Sequence, residues 1–394
     1  MRATPVNSGT MVDSAQFIAA IRSVVGTEPR IGLHIPEIGE VDHRLVNECL
    51  DSTFVSSVGP FVNRFEQEIS AYTGAAHAIA VSNGTVALQV ALVLVGVEPG
   101  DEVIVPALSF IATANAVSHA GAHPYFVDSN EQTLGMDAAA LATTLSAMQR
   151  VDGQVLNPDT GRRIAAIVPM HAFGHPVDIA AIVALGDEYG IPVVEDAAES
   201  LGSTVGGIHT GRFGRVGVLS FNGNKIVTTG GGGMIITDDD ELGARAKHLT
   251  TTAKLPHEWE FEHDEIGWNF RMPNINAALG VAQFSKLPRY LEQKRSLANR
   301  YAAAMEEVDG VTFLAEPAGT TSNYWLCSIR VDGGLEARNE LLRAANDDGL
   351  QCRPFWNLLS EQLPYRSSPR GGLATAHALV ESVISIPSTP ALAL

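Results

Sequence analysis

A chain of 394 residues that is 45% hydrophobic and 18% charged is long enough for two packed domains and excludes intrinsic disorder. Its formal net charge of −18 excludes a general nucleic-acid or anionic-membrane surface, which would need clustered Lys and Arg, while leaving room for a local basic pocket. Three cysteines, Cys49, Cys327 and Cys352, are widely spaced and odd in number, so they suit a reducing cytoplasm better than a disulfide framework or a C-x-x-C metal site.

Residues 1–30 read as an extension, a polar tail followed by an amphipathic helix over 16–25 that ends at Gly26. The N-terminus lacks a basic region followed by a continuous apolar stretch. The longest apolar run, 86–97, is broken by Gln89 and too short for a bilayer, so neither export nor a membrane anchor is expected. His34-Ile35-Pro36 introduces a helix over 40–50, and the turn Ser56-Ser57-Val58-Gly59-Pro60 precedes a helix over 61–72 with Phe61, Phe65 and Ile69 on its core face. A short strand over 78–81 then runs into Ser82-Asn83-Gly84-Thr85 at the head of an apolar helix, 86–95. Free backbone N–H groups and a positive dipole end could hold an anion there, although the same four residues also make an ordinary N-cap.

From Asp101 onward, strands over 103–105, 124–127, 164–168 and 191–194 alternate with helices over 111–119, from Asp137, and over 179–189. Such alternation predicts βαβ units and a largely parallel sheet. Residues 152–163 read as an inserted surface hairpin. Phe110 follows a strand end, where doubly wound sheets place ligands, and either stacks on a flat ring or packs in the core. His171 and His175 have H-x-x-x-H spacing, but Gly174 and Pro176 break the helix and no third ligand is near, so no metal is expected.

The chemistry concentrates between residues 195 and 234. An apolar run (Ile191, Val193, Val194) closes on Glu195-Asp196, a second run (Val216, Val218, Leu219) leads to Ser220-Phe221, and Lys225 stands before the glycines at 230–233. With no acid beside it in sequence, the Lys225 amine is placed to condense with a carbonyl once neutral. Asp196, at the carboxyl end of a buried strand, can hold a cationic ring nitrogen. Together these are the protein's share of pyridoxal phosphate chemistry. Taken singly, each reads as well as a surface lysine in a glycine-rich loop or a helix-capping aspartate. A strand over 234–237 and a helix over 241–249 end the large domain, and 257–264 is a polar, aromatic loop. Long helices then run to about 308 before a smaller α/β unit with strands near 325–331, a helix over 335–348 and a last strand near 384–387.

The strings Glu195-Asp196-Ala197-Ala198 and Ser220-Phe221…Lys225…Thr228-Thr229-Gly230 resemble the DegT/DnrJ/StrS-type nucleotide-sugar aminotransferases, a branch of the fold type I pyridoxal phosphate enzymes. The likeness runs in order from about residue 31 to 387. The fuller strings at 51–59, 103–108 and 220–225 look most like the LegC branch, which aminates carbon 4 of a nucleotide-linked 4-keto-6-deoxy-N-acetylhexosamine toward legionaminic-acid-type sugars. The resemblance implies a large cofactor domain over 31–255, with a mostly parallel sheet flanked by helices, and a smaller C-terminal α/β domain over 256–394. It implies Lys225 as the catalytic residue that holds the cofactor and moves the proton. Asp196 would hold the ring nitrogen, Gly84, Thr85 and Ser220 the phosphate, and Phe110 the ring face. Glu199 stands at the ring-hydroxyl contact, where many relatives have glutamine.

Gly267-Trp268-Asn269-Phe270-Arg271 resembles the segment that this family donates across a two-fold axis, which implies a homodimer with shared sites and Asn269 at the partner's cofactor phosphate. Glutamate, leaving as 2-oxoglutarate, is the implied donor; the nucleotide, UDP or GDP, stays open. Among rivals, a nicotinamide-dependent nucleotide-sugar oxidoreductase needs a G-x-G-x-x-G after an early strand, which this chain lacks. A pyridoxal phosphate sugar dehydratase of this family has histidine in place of Lys225, and a non-enzymatic regulator would not need Asp196 and Lys225. Trp356, Arg353, Tyr324, Ser56 and Ser57 are candidate sugar contacts, equally explained as core or turn residues.

Overall fold

The computed structural model describes residues 12–393; the first eleven residues of the polar tail lie outside the described residues. In chain order, helices α1 (Ser14–Val25), α2 (Glu40–Asp51) and α3 (Pro60–Thr73) lead to β1 (His77–Val81) and α4 (Gly84–Leu94). Then come β2 (Glu102–Pro106), α5 (Ala112–His119), β3 (His123–Val127) and α6 (Ala138–Ser146). A hairpin of β4 (Gln149–Val151) and β5 (Gln154–Leu156) precedes β6 (Ile164–Ile167), α7 (Ile179–Tyr189) and β7 (Val194–Asp196). A second small hairpin, β8 (Thr204–Val205) and β9 (Ile208–His209), leads to β10 (Val216–Ser220), β11 (Gly233–Thr237) and α8 (Asp240–Thr250). Helices α9 (Asn274–Phe284) and α10 (Leu287–Met305) follow, and the chain closes through β12 (Val311–Phe313), β13 (Thr320–Thr321), β14 (Cys327–Val331), α11 (Gly334–Asp347), β15 (Arg353–Pro354), α12 (Ala374–Ser382) and β16 (Val383–Ile386).

Two ladders, β1-β11-β10-β7 and β3-β2-β6, are joined by parallel bridges between Ile167 and Val193 and between Met170 and Asp196. The result is one twisted sheet in the order β1-β11-β10-β7-β6-β2-β3, parallel except for β11, which runs antiparallel to both neighbours. This is the α/β architecture of the sequence reading. β7 begins at Val194 rather than at Ile191, as Pro192 has no N–H to give to a ladder. The inserted hairpin also starts earlier than 152. It turns at Asp152 and Gly153, which both take positive φ, the conformation a two-residue hairpin turn requires.

Helix α4 buries Ala87, Leu88, Val90, Ala91 and Leu92, and it lies on the sheet against β10 and β11. The stripe Phe61, Phe65 and Ile69 of α3 is buried as expected, with the Phe65 ring edge-on to Phe221 at 4.9 Å. An antiparallel sheet, β12-β14-β16-β15, carries the C-terminal core. Into that core α1 inserts Phe17, Ile21 and Val24 beside Leu297 and Tyr301 of α10, so the N-terminal helix is built into the fold rather than appended to it. Its i, i+4, i+7 spacing gives one apolar stripe, which finds its cover there. No helix among the described residues is long and apolar enough to cross a membrane.

Candidate active site

The carboxyl ends of β7 and β10 and the N-terminus of α4 open on one cavity of about 350 Å³. Its wall includes Gly84, Thr85, Phe110, Asp196, Glu199, Ser220 and Lys225, which brings together every cofactor-site residue read from the sequence except Asn269. Asn269 is exposed and pairs with Thr251 in an isolated antiparallel bridge, away from this cavity of its own chain.

Lys225 follows β10 on an irregular turn, its side chain 12% exposed. Although no acid adjoins it in sequence, the fold supplies one: Nζ donates to Glu199 Oε1 at 3.0 Å. The ammonium also lies 3.8 Å from the centre of the Trp325 ring, a cation–π contact from a residue that the sequence reading placed only in a strand. Trp325 is itself fixed, its indole N–H donating to the Asn224 carbonyl at 2.8 Å and its main-chain N–H to Asn323 Oδ1 at 2.7 Å. Glu199 is held from behind by the Phe173 N–H, which donates to Oε2 at 2.9 Å. Burial pushes the Glu199 carboxyl above the usual range, with the Lys225 charge and the Phe173 N–H working against it.

Asp196 is buried at the end of β7 and accepts from the Thr113 hydroxyl at 2.8 Å and the Ala198 N–H at 3.2 Å. Thr113 in turn shares a hydrogen bond with Ser109 at 2.6 Å, an anchoring pair that no motif in the sequence marks. Burial raises the Asp196 carboxyl, and those bonds together with the Lys225 charge oppose the rise. Its neighbour Glu195 does different work. It accepts from His171 at 3.0 Å and from the amides of Gly211, Phe213 and Gly214; burial opposes ionisation, but these contacts hold it below the usual carboxylate range. His171 Nδ1 accepts from Val177 N–H, so the proton sits on Nε2, and the ring orders the loop after β6. His175, the other histidine of that spacing, is buried with neither ring nitrogen partnered among the described residues, and burial pushes it to about 4.

At the head of α4, Asn83 Oδ1 takes the Val86 N–H at 3.0 Å, whereas the amides of Gly84 and Thr85 stand in the first turn, where no intrahelical acceptor exists. A Cβ on Gly84 would come within 3.1 Å of the Ser220 Cβ, so glycine keeps this corner open. Phe110, 53% exposed, forms part of the rim with Trp356. An adjoining cavity of about 520 Å³ shares Phe110, Asn224, Trp325 and Trp356 and adds Arg353, Asn357 and Gln362. Of the candidate sugar contacts, Trp356 and Arg353 line these spaces. Tyr324 instead packs on His175, its hydroxyl accepting the Glu316 N–H, and Ser56 and Ser57 lie on neither wall.

This donor set fits pyridoxal phosphate. A buried carboxylate pushed upward calls for a cationic partner such as a ring N–H, an amine faces a carbonyl, and free amides at a helix N-terminus suit a phosphate. A half-exposed aromatic offers a face to a flat ring.

Comparison with known proteins places the chain in a family. The profile of the DegT/DnrJ/EryC1/StrS aminotransferase family matches residues 36–394. The chain is 35% identical to the GDP-perosamine synthase of Escherichia coli O157:H7 over 92% of its own length and 94% of that protein's. It is 33% identical to the UDP-4-amino-4-deoxy-L-arabinose–oxoglutarate aminotransferase of Shewanella sediminis, over 75% of each. The aminotransferase TlmJ from Streptoalloteichus hindustanus superposes with a TM-score of 0.83 at 32% identity, covering 92% of this chain and 94% of that one. On the matched length and the shared fold, the chain belongs to the DegT/DnrJ/EryC1/StrS aminotransferase family and is a pyridoxal phosphate-dependent aminotransferase.

Proposed function

We propose that this enzyme transfers the amino group of glutamate to carbon 4 of a nucleotide-linked 4-keto-6-deoxy sugar, most specifically an N-acetylhexosamine as in the LegC branch. The observation that carries the reading is the convergence of Lys225, Asp196, Glu199 and the α4 N-terminus on one cavity that opens into an aromatic-walled second space. The names of its relatives support a nucleotide-sugar acceptor and an oxoglutarate-linked donor. Bound pyridoxal phosphate supplies an electron sink that stabilises a carbanion at the amino-bearing carbon. Lys225 holds the cofactor carbonyl between turnovers and, when released, moves the proton at the substrate carbon. Asp196 keeps the ring N–H in place, the Gly84 and Thr85 amides with the Ser220 hydroxyl bind the phosphate, and Phe110 covers the ring. The same reading divides the chain near residue 255 into a cofactor domain and a smaller domain that lends Trp325 and Trp356 to the wall. Three buried thiols, none in a disulfide, support a cytoplasmic setting.

The test is mass spectrometry of a panel of UDP- and GDP-linked 4-keto sugars incubated with enzyme and glutamate. One member is expected to gain an amine at carbon 4, with 2-oxoglutarate formed in equal amount; a panel that returns unchanged refutes the substrate class.

The functional unit of this reading is a homodimer with shared sites, in which Asn269 reaches the partner's cofactor phosphate. Its exposed position outside its own cavity supports that role. Mixing Lys225→Ala chains with Asn269→Ala chains creates heterodimers holding one doubly damaged site and one intact site. Subunit exchange in an equal mixture is expected to restore activity toward about a quarter of that of the native sites, since half of the dimers are heterodimers and each holds one intact site. If proven exchange leaves the mixture as inactive as its parents, or if Asn269→Ala alone is fully active, the shared site is ruled out.

A further inference from the structure

We propose that Glu199 is the proton acceptor of Lys225: its carboxylate takes the proton that the ammonium must lose before the nitrogen can bond to a carbonyl carbon, and gives it back as water leaves. The inference rests on Lys225 being the cofactor lysine, and it gives Glu199 a role beyond contact with the ring hydroxyl.

Geometry singles out this carboxylate. Among the described residues, the Lys225 ammonium has Glu199 Oε1, at 3.0 Å, as its hydrogen-bond partner. Its other close neighbour, the face of Trp325, attracts a cation but has no atom that can accept its proton. Asp196 lines the same cavity, yet among the described residues no hydrogen bond joins it to Lys225, and its own bonds go to Thr113 and Ala198. Glu199 is locked in reach, with Oε2 bound by the Phe173 N–H and its main-chain carbonyl bound by Asn323 Nδ2 at 2.9 Å. The charged groups that face it are Lys225 and Asp196. Burial favours its protonated form, so the acid produced by the transfer is not a costly state.

The step balances. An N–H bond of the ammonium breaks and an O–H bond forms on Glu199. The freed lone pair makes the N–C bond, and a second nitrogen proton passes to the carbonyl oxygen. That hydroxyl leaves as water with the proton from Glu199, so the nitrogen ends cationic and doubly bonded, and Glu199 is again a carboxylate beside it. A glutamine at this position holds the same shape and accepts the same Phe173 N–H, but it cannot carry the proton.

The experiment uses the full-length chain freed of cofactor and follows growth of the visible absorption band at saturating pyridoxal phosphate, where the rate reports bond formation rather than affinity. Glu199→Gln is expected to load at least tenfold more slowly at neutral pH, with a rate that climbs about tenfold per pH unit because the proton must leave to hydroxide. Wild type should lack that steep rise. A Glu199→Gln protein that loads at the wild-type rate with the wild-type profile, or faster, overturns the proposal. Glu199→Asp keeps a carboxyl and is expected to keep the shallow profile at reduced rate; a steep profile there also overturns it. A cofactor-free readout is the infrared carboxylic-acid band, expected in Lys225→Met and missing in Lys225→Met/Glu199→Gln. Its absence from the single variant shows that Glu199 cannot hold a proton here. Should borohydride mapping of the wild type find no adduct on Lys225, the cofactor-lysine reading fails, an outcome distinct from these.

Discussion

Replacing Lys225 with alanine is expected to abolish turnover, a loss on the order of 10⁴-fold or more, because in the proposed mechanism one side chain both anchors the cofactor and transfers the proton. In the wild-type enzyme, borohydride reduction followed by peptide mapping should place the cofactor on the peptide that contains Lys225. The structure sharpens this expectation, for Lys225 is the one lysine among the described residues on the cavity wall. Lys294, the one fully buried lysine among the described residues, is spoken for: its ammonium bonds the main-chain carbonyls of Trp325 and Ser388, and burial pulls it down to about 7. Lys225→Ala also strips a buried carboxylate of its cation, which destabilises independently of chemistry. Lys225→Arg is the control, since the guanidinium still faces Glu199 but does not condense with a carbonyl. Folded, inactive Lys225→Arg separates the two effects, whereas an adduct found on Lys294, or on no lysine, sinks the assignment.

Much of this site was legible in the sequence because its signals are local. Apolar runs that stop at Glu195-Asp196 and at Ser220-Phe221 mark two strand ends, and strand ends in such sheets share one rim. Asn83, Asp137, Asp178 and Asp239 cap α4, α6, α7 and α8 with their side chains, which is why those helices stood near their predicted limits. Contacts made across long stretches of chain were not legible. Nothing near Lys225 announces Glu199, 26 positions away, and nothing near Asp196 announces Thr113, 83 positions away. Trp325 reaches Lys225 only because the C-terminal segment folds back over the cavity, its indole tied to Asn224. The acidic pair shows the same limit in miniature. Alternation along a strand sends adjacent side chains to opposite faces, so Asp196 meets the cavity and Glu195 the His171 loop, and the sequence alone does not say which residue faces which way.

Asp196→Asn tests the second half of the pair. The amide keeps the shape of the carboxylate and can still accept from the Thr113 hydroxyl, so the protein should fold and retain cofactor through Lys225 and the α4 amides. What it loses is charge. A carboxylate beside a cationic ring N–H stabilises that proton by a charge-assisted bond worth about 1.5–3 kcal/mol, and a neutral amide does not. The cost in rate should be larger, roughly 10²–10³-fold, because the charge acts where electron density arrives during proton transfer. Burial already pushes Asp196 upward, and Thr113 is the largest opposing influence. Thr113→Val should therefore slow the enzyme in the same direction but by a smaller factor, about tenfold. The measurement is single-turnover reaction of the loaded enzyme with glutamate, read from the decay of the visible band, which isolates the donor half-reaction from sugar binding. An Asp196→Asn enzyme that completes this half-reaction at near-native rate would show that the carboxylate does not hold the ring proton; a Thr113→Val defect larger than that of Asp196→Asn would show that the hydroxyl acts on something other than Asp196.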